Sequence, residues 1–317
     1  MVTGDRSVNA LVTGGAGFIG RHVVSRLLND GATVRVVDDL SRASADGLQE
    51  FSGCTGYLGL IQGDVADGTT LEDSLSGVDT IFHLAASVAV GTSVSVPADG
   101  ARTNVLGTLN VLEAARGADL RIVLVSTCHV YGSAEKPLDE KAPTRPVSPY
   151  AASKLAADDL AIGYEHAFQL RQTIVRPFNV YGPWQRDDLE GGVVARFIRS
   201  AVMQQPIELH GTGLQTRDFI FVEDAAHGIV AAAADSAIAQ TINLATGVET
   251  SIEDLAHIVD GGTGNIRHVA HPHGRSEVER YVGDASVAAD LLDWSARTSL
   301  SDGIARTRQW FEERMVL

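Results

Sequence analysis

The sequence predicts an α/β fold, a doubly wound parallel sheet with a smaller C-terminal region. Three observations predict it. Short β-branched strands alternate with helical stripes through the first half of the chain. A glycine-rich loop joins the first strand to the first helix, and an acidic pair closes the second strand. Strands alternating with crossover helices make a parallel sheet covered on both faces.

Residues 8–12 read as a buried strand that runs into the glycines. Over residues 18–29 the apolar side chains Ile19, Val23 and Leu27 recur every four positions, with Val24 and Leu28 beside them. Gly31 stands where a helix cap is expected. Residues 33–37 form a second strand, and residues 80–84 and 121–125 form two more, with a helix over 104–116 between them. A further helix starts near Ser148 and Pro149 and runs to about Phe168, followed by a strand at 172–175. Beyond about Pro177 the elements shorten, as at 207–209 and 219–222. The chain therefore divides into a cofactor-binding domain over 1–177 and a mainly substrate-binding region over 178–317. Part of the latter is expected to return to the sheet.

The bulk properties narrow the function. Of 317 residues, 44% are hydrophobic and 21% charged, an ordinary globular balance. A net charge of −15 repels nucleic acid and anionic lipid, so neither is expected as a partner. Two cysteines, Cys54 and Cys128, are too few for a disulfide scaffold or a zinc site. No apolar run approaches the roughly 18 residues of a membrane span, and residues 1–9 carry no signal region. A cytoplasmic protein is expected. His271 and His273 flank Pro272 without a cysteine or carboxylate cluster, so they read as loop surface and no metal is expected.

Gly14, Gly17 and Gly20 follow a strand and open a helix whose first residues are Phe18 and Ile19. One glycine permits the tight turn, one lets the backbone approach a pyrophosphate, and one lets the helix pack on the strand. The helix N-terminus offers free N–H groups to phosphates. Asp38 lies 18 residues beyond Gly20, where a carboxylate accepts from ribose hydroxyls and repels a 2′-phosphate. The expected cofactor is therefore NAD, with Asp39 and Ser41 in the same loop and Arg42 near enough to weaken the preference over NADP. After the third strand, Asp64 can accept from the adenine amino group, with Val65 beside it. The strand end Leu84-Ala85-Ala86 lets a flat cofactor lie on the backbone, and Ser87 follows on the substrate side.

These motifs resemble the extended short-chain dehydrogenase/reductase family, in particular its nucleotide-sugar epimerases and dehydratases. The resemblance also rests on residues 104–108 (Asn-Val-Leu-Gly-Thr), 126–132 (Ser-Thr-Cys-His-Val-Tyr-Gly), 150–154 (Tyr-Ala-Ala-Ser-Lys), 176–182 and 217–219 (Arg-Asp-Phe). It covers nearly the whole chain. It implies a Rossmann-type sheet, NAD as cofactor with Asn104, Tyr150 and Lys154 among its contacts, and a UDP- or dTDP-linked sugar as substrate. It also implies a homodimer in which helices 104–116 and 149–168 pair into a four-helix bundle.

Tyr150 and Lys154 share a helix face at i and i+4. A free tyrosine titrates near 10, and a neighbouring ammonium and the positive nicotinamide ring favour the phenolate. The resemblance implies that Tyr150 removes a proton from a sugar hydroxyl, that Lys154 lowers its pKa, and that Thr127 hydrogen-bonds the same oxygen. Tyr131 lacks a lysine four residues on. The shared first step is oxidation at sugar C4. A 4-epimerase then needs no further acid or base, whereas a dehydratase needs both. Dehydratases of this type carry Asp-Glu after the threonine, and related decarboxylases Ser-Glu; here the pair is Cys128-His129. A small group of 5,6-dehydratases has Thr-Cys-Glu. His129, with a reference pKa near 6.5, can move protons, and Cys128, near 8.5, can act as a weak acid. The blander reading is that Cys128 packs as a small buried residue and His129 shapes the pocket. On an extended strand end Thr127 and His129 face one side and Cys128 the other.

On the substrate side the resemblance implies that Asn179 contacts the diphosphate and that Val193 and Val194 lie near the nucleobase. Arg217 is the first candidate to clamp the diphosphate, since a guanidinium offers paired donors, and Arg275 is a second. Three functions follow in order. The first is a 4-epimerase acting on a UDP- or dTDP-hexose or uronic acid. The second is a 4,6- or 5,6-dehydratase using Cys128 and His129. The third is a non-catalytic, NAD-binding regulatory protein.

Overall fold

The structure is a computed structural model that describes residues 8–88, 97–188, 192–270 and 278–315. Strand β1 (Asn9–Thr13) leads through the glycine loop to helix α1 (Phe18–Asn29). Strands β2 (Thr33–Asp38) and β3 (Tyr57–Gln62) follow, then α2 (Gly68–Glu72) and β4 (Thr80–His83). Helix α3 (Pro97–Ala101) continues through a wide turn at Arg102–Gly107 into α4 (Thr108–Ala118). Strand β5 (Arg121–Val125), helix α5 (Pro149–Phe168) and β6 (Gln172–Pro177) complete the first half.

The second half has shorter elements. They are β7 (Asn179–Tyr181), α6 (Val193–Val202), β8 (Ile207–His210), β9 (Thr216–Arg217), β10 (Phe219–Phe221) and α7 (Val222–Ala231). Then come β11 (Thr241–Leu244), β12 (Thr250–Ser251), α8 (Ile252–Asp260), β13 (Ile266–Val269), β14 (Arg280–Tyr281), α9 (Ser286–Leu292) and α10 (Leu300–Met315).

Seven parallel strands form the main sheet in the order β11-β6-β5-β4-β1-β2-β3. The order reverses between β1 and β4, and such a switch point opens a crevice at the carboxyl ends of the strands. Both faces are apolar. Val12, Val36, Phe82 and Val123 pack on α1 and α7. Leu11, Val37, Ile81 and Ile122 pack on α4 and α5. Alternate residues of one strand thus enter opposite cores, which is why the strands read as unbroken apolar runs. A second core, with Phe197, Leu209, Leu255 and Phe311, supports the C-terminal elements.

Helix α5 matches the predicted helix. The Ser148 hydroxyl accepts from the Ala151 N–H at 3.2 Å, Pro149 occupies the first turn, and left-handed Gln169 ends it. The helix expected over 104–116 starts earlier and is interrupted. The wide turn carries Asn104 inward, where its amide bonds Ser87 and Ser153. Strand β10 stops one residue short of the expected 219–222 because Val222 opens α7. The expected return to the sheet is made by β11, which pairs with β6. Among the described residues no helix is long and apolar enough to cross a membrane, and no group of three or more His, Cys, Asp or Glu could hold a metal ion.

Candidate active site

A cleft of about 1220 Å³ runs along the carboxyl ends of the strands and under the C-terminal elements. The glycine loop forms one end. Gly14 has φ +70°, and a Cβ there would lie 2.6 Å from the Ala85 nitrogen. A Cβ on Gly20 would run into the Gly14 carbonyl oxygen, whereas one on Gly17 would meet only that oxygen, at 3.2 Å. The loop is thus closed on itself at Gly20 and open toward the cleft at Gly17. No side chain caps α1, so its first-turn N–H groups stay available to an anion. These features fit NAD. Phe18, Ile19, Asp39, Ser41, Val65, Leu84, Ala85, Ala86 and Ser87 all line the cleft.

Two acidic residues are partly committed inside the protein. Asp38 accepts from Ala16 N at 3.0 Å and Leu40 N at 2.9 Å, so it ties β2 to the glycine loop as well as lining the cleft. Burial raises its pKa, and the backbone donors oppose the rise. Asp64 is paired with Arg102 and accepts from Ala66 N at 2.8 Å.

Two expected contacts lie elsewhere. Asn104 is fully buried and outside the cleft lining; it braces Ser87 and Ser153 because both ends of its amide are used internally. Val194 faces the C-terminal core, since on α6 Val193 and Arg196 take the cleft side. Arg275, His271 and His273 lie outside the described residues.

Beneath the cleft His83 is buried between Thr13 Oγ1 at 2.7 Å and Thr108 Oγ1 at 3.1 Å. The Thr108 hydroxyl donates its one proton to Asn104 O at 2.7 Å, so His83 Nε2 must donate to Thr108 and Nδ1 accept from Thr13. Both nitrogens are satisfied in the neutral ring. Burial, and then the charge of Lys154, pull its pKa down to about 3. The unfolded chain takes up a proton below about pH 6.5 that the folded chain refuses, so stability falls with pH from there toward 3. The expected loss from this residue is about 2 kcal/mol by pH 5. Urea unfolding at pH 7 and pH 5 checks it: His83→Gln should lose less on acidification than the parent, and an equal loss would exclude His83 as the cause.

The sugar end gathers Thr127, Cys128, His129, Tyr150 and Lys154. Lys154 is buried and donates from Nζ to the Val125 carbonyl at 2.7 Å. Burial pulls it down to about 8, against the pull of Asp158. Burial pushes the Tyr150 phenol up to about 12, opposed by a hydrogen bond with Thr127. The expected depression of Tyr150 is therefore reversed within the protein itself, because desolvation outweighs the nearby donor.

The extended strand end expected at 127–129 is also corrected. Residues Cys128–Val130 form a tight helical turn, capped by the Thr127 side chain, which accepts from His129 N at 3.2 Å. That turn sets residues 127–129 along the cleft, while Cys128 packs as a small buried residue with Val130, Tyr131 and Phe178. Burial pushes the Cys128 thiol up to about 12, so it stays protonated. Burial, and then Arg217, pull His129 down to about 4, so its ring is neutral at physiological pH. That ring lies edge-on to Tyr281 at 5.2 Å and Tyr150 at 6.1 Å.

Arg217 lies over the Tyr281 ring at 5.4 Å and donates to the carbonyls of Thr216 and Val278, both at 2.8 Å. Asn179 also lines the cleft, its amide donating to Asp218 O at 3.1 Å. Tyr281 is the contact that sequence reasoning missed. It arrives through β14 pairing with β9, a contact between distant segments that no local motif marks. Tyr131, by contrast, is fully buried and bonded to Asn243 and Arg176.

The model of the NAD dependent epimerase/dehydratase family matches residues 10–245. A UDP-glucose 4-epimerase of Mycolicibacterium smegmatis is 35% identical, covering 97% of this chain and 99% of its own. The X-ray structure of Pal from Bacillus thuringiensis superposes with a TM-score of 0.94 at 38% identity, covering 97% of this chain and all of that one. A dTDP-glucose 4,6-dehydratase from Streptomyces venezuelae, solved with NAD bound, gives 0.91 at 32% identity, covering 98% of each chain.

Proposed function

The chain belongs to the NAD-dependent epimerase/dehydratase family, and from that premise we propose that it is a nucleotide-sugar 4-epimerase acting on a UDP- or dTDP-linked hexose or uronic acid. The observation that carries this reading is a cleft end holding Thr127, Tyr150 and Lys154 with a thiol and a neutral imidazole where a dehydratase carries carboxylates. The smegmatis relative is named as such an epimerase.

NAD is the cofactor; bound in the cleft by Gly14, Gly17, Gly20 and Asp38, it supplies a reversible two-electron oxidation. Tyr150 would act as phenolate, the form that the positive charge of a bound nicotinamide ring would favour, taking the proton of the sugar C4 hydroxyl and returning it when the alcohol re-forms. Thr127 bonds Tyr150 and presents its hydroxyl to the same sugar oxygen. Lys154, one helical turn from Tyr150, holds its ammonium at the Val125 carbonyl beside the cofactor's side of the cleft. The 4-keto sugar turns over between the two proton transfers, and Arg217 and Asn179 hold the diphosphate while it does so. His129 and Tyr281 shape the space in which the ring turns. The diphosphate-binding groups come from 178–317 and the cofactor-binding groups from 1–177. Incubation with UDP- and dTDP-hexoses and uronic acids, read by NMR, should give a C4-epimer pair from at least one of them; a 4-keto-6-deoxy product from any would overturn the reading.

The second reading is a dehydratase, favoured by the position of Cys128 and His129 beside Thr127 in the cleft. A His129→Ala variant with unchanged turnover removes it. The reading also includes a cytoplasmic homodimer. Leu106 and Phe168 leave apolar surface exposed on the helical segments expected to form the bundle, and a monomer mass by light scattering would exclude it.

A further inference from the structure

A buried ion pair lies behind the Tyr150–Lys154 face of α5. Asp158 is fully buried and follows Lys154 by four residues, so the two share one helix face. From β6, Arg176 grips its Oδ2 with Nε at 3.0 Å and Nη2 at 2.9 Å. Arg176 is itself held, donating from Nη1 to the Tyr131 hydroxyl at 2.9 Å and lying over that ring. Tyr131 donates in turn to Asn243 Oδ1 at 3.0 Å. One carboxylate oxygen is thus locked by a braced guanidinium. The other, Oδ1, is buried, and the Ser126 hydroxyl bears on the same carboxylate.

Around Lys154 the packed elements contribute few charges. Strand β4 brings the neutral His83, β5 the Val125 carbonyl, β6 the Arg176 cation, and α5 itself Tyr150 and Asp158. Asp158 is the acid of this group. An ammonium buried without an anion loses its proton readily.

We propose that Asp158 is a positioning residue for the reaction: its carboxylate, fixed by Arg176, keeps Lys154 charged and seated at the Val125 carbonyl. The cluster explains why a carboxylate is buried behind the site although it does not line the cleft. Asp158 opposes the burial of Lys154, in the direction the proposal requires. The role rests on reading Lys154 as the partner of Tyr150, but its test needs no sugar, so it fails or stands apart from the choice of substrate.

The chain has three lysines, Lys136, Lys141 and Lys154. Full-length protein grown on lysine labelled with ¹³C at Cε and saturated with NAD gives few signals, and Lys154→Met identifies that of Lys154. Its titration midpoint is measured in the parent and in Asp158→Asn. The expected result is a fall of about one pH unit or more, the range for loss of a neighbouring opposite charge. Because Asp158→Asn leaves Arg176 buried and unpaired, the double variant Asp158→Leu with Arg176→Met is measured beside it; it removes both charges and should lower the midpoint in the same direction. A midpoint unchanged in whichever variant folds overturns the proposal. Failure of both to fold also overturns it, since the pair would then serve the fold.

Discussion

Tyr150→Phe is expected to lower kcat by about 10²- to 10⁴-fold while leaving NAD bound, the usual contribution of a positioned acid–base group. The change removes one hydroxyl from a nearly buried ring and keeps the edge contact with His129. The fold has little reason to respond, and the chemistry has every reason to. Tyr131→Phe is the matched control. Its hydroxyl bonds Asn243 and Arg176 away from the cleft, so that variant should lose about 1–3 kcal/mol of stability and, acting on Lys154 only through Arg176 and Asp158, should lower turnover far less than Tyr150→Phe does. Steady-state kinetics with urea unfolding on both variants separates the two tyrosines. Turnover of Tyr150→Phe within about twofold of the parent would remove Tyr150 from the proton path.

The second large effect is expected at Gly20. An alanine there places its Cβ against the Gly14 carbonyl oxygen and Gly15 Cα, both backbone atoms that cannot swing aside. The loop has to open, which moves Gly14 off the Ala85 backbone and spoils the phosphate cradle. Overpacking of this kind costs about 1–3 kcal/mol or more, and NAD should be lost with it. Gly163→Ala makes the contrast. That residue lies in α5 with nothing within 4 Å of a Cβ, and the change should add about 0.5–1 kcal/mol. Thermal melting and the NAD content of the purified variants check both. Gly20→Ala with parental melting and full NAD would contradict the tight-loop geometry.

Much of the sheet was legible because each strand is buried on both faces and so reads as an apolar run bounded by polar turns. Helix α5 was legible to its caps, since Ser148, Pro149 and the stretch before Gln169 are local signals. The helix leading to α4 was misread at its start because the wide turn at Arg102–Gly107 exists to carry Asn104 inward, a tertiary demand with no periodic signature. At the site, the glycines, Asp38, Tyr150 and Lys154 were readable from spacing. The ionisation of the site was not. Tyr150 and His129 respond to burial, which depends on β14 and Arg217 arriving from far along the chain. The turn at Cys128–Val130 escaped for a similar reason: strand β5 ends at Val125, and only the Thr127 cap reveals that the chain coils there.

The absence of carboxylates after Thr127 separates a reaction confined to C4 from one that reaches C5 and C6. The most direct test is to incubate the protein with NAD and the accepted nucleotide sugar in deuterated water and to examine the product by proton NMR and mass spectrometry. Epimerisation through Tyr150 predicts a C4-epimer pair of unchanged mass, with C5 and C6 free of solvent deuterium. Deuterium at C5 or C6, or a product lighter by one water, would show chemistry beyond C4 and would contradict the epimerase reading.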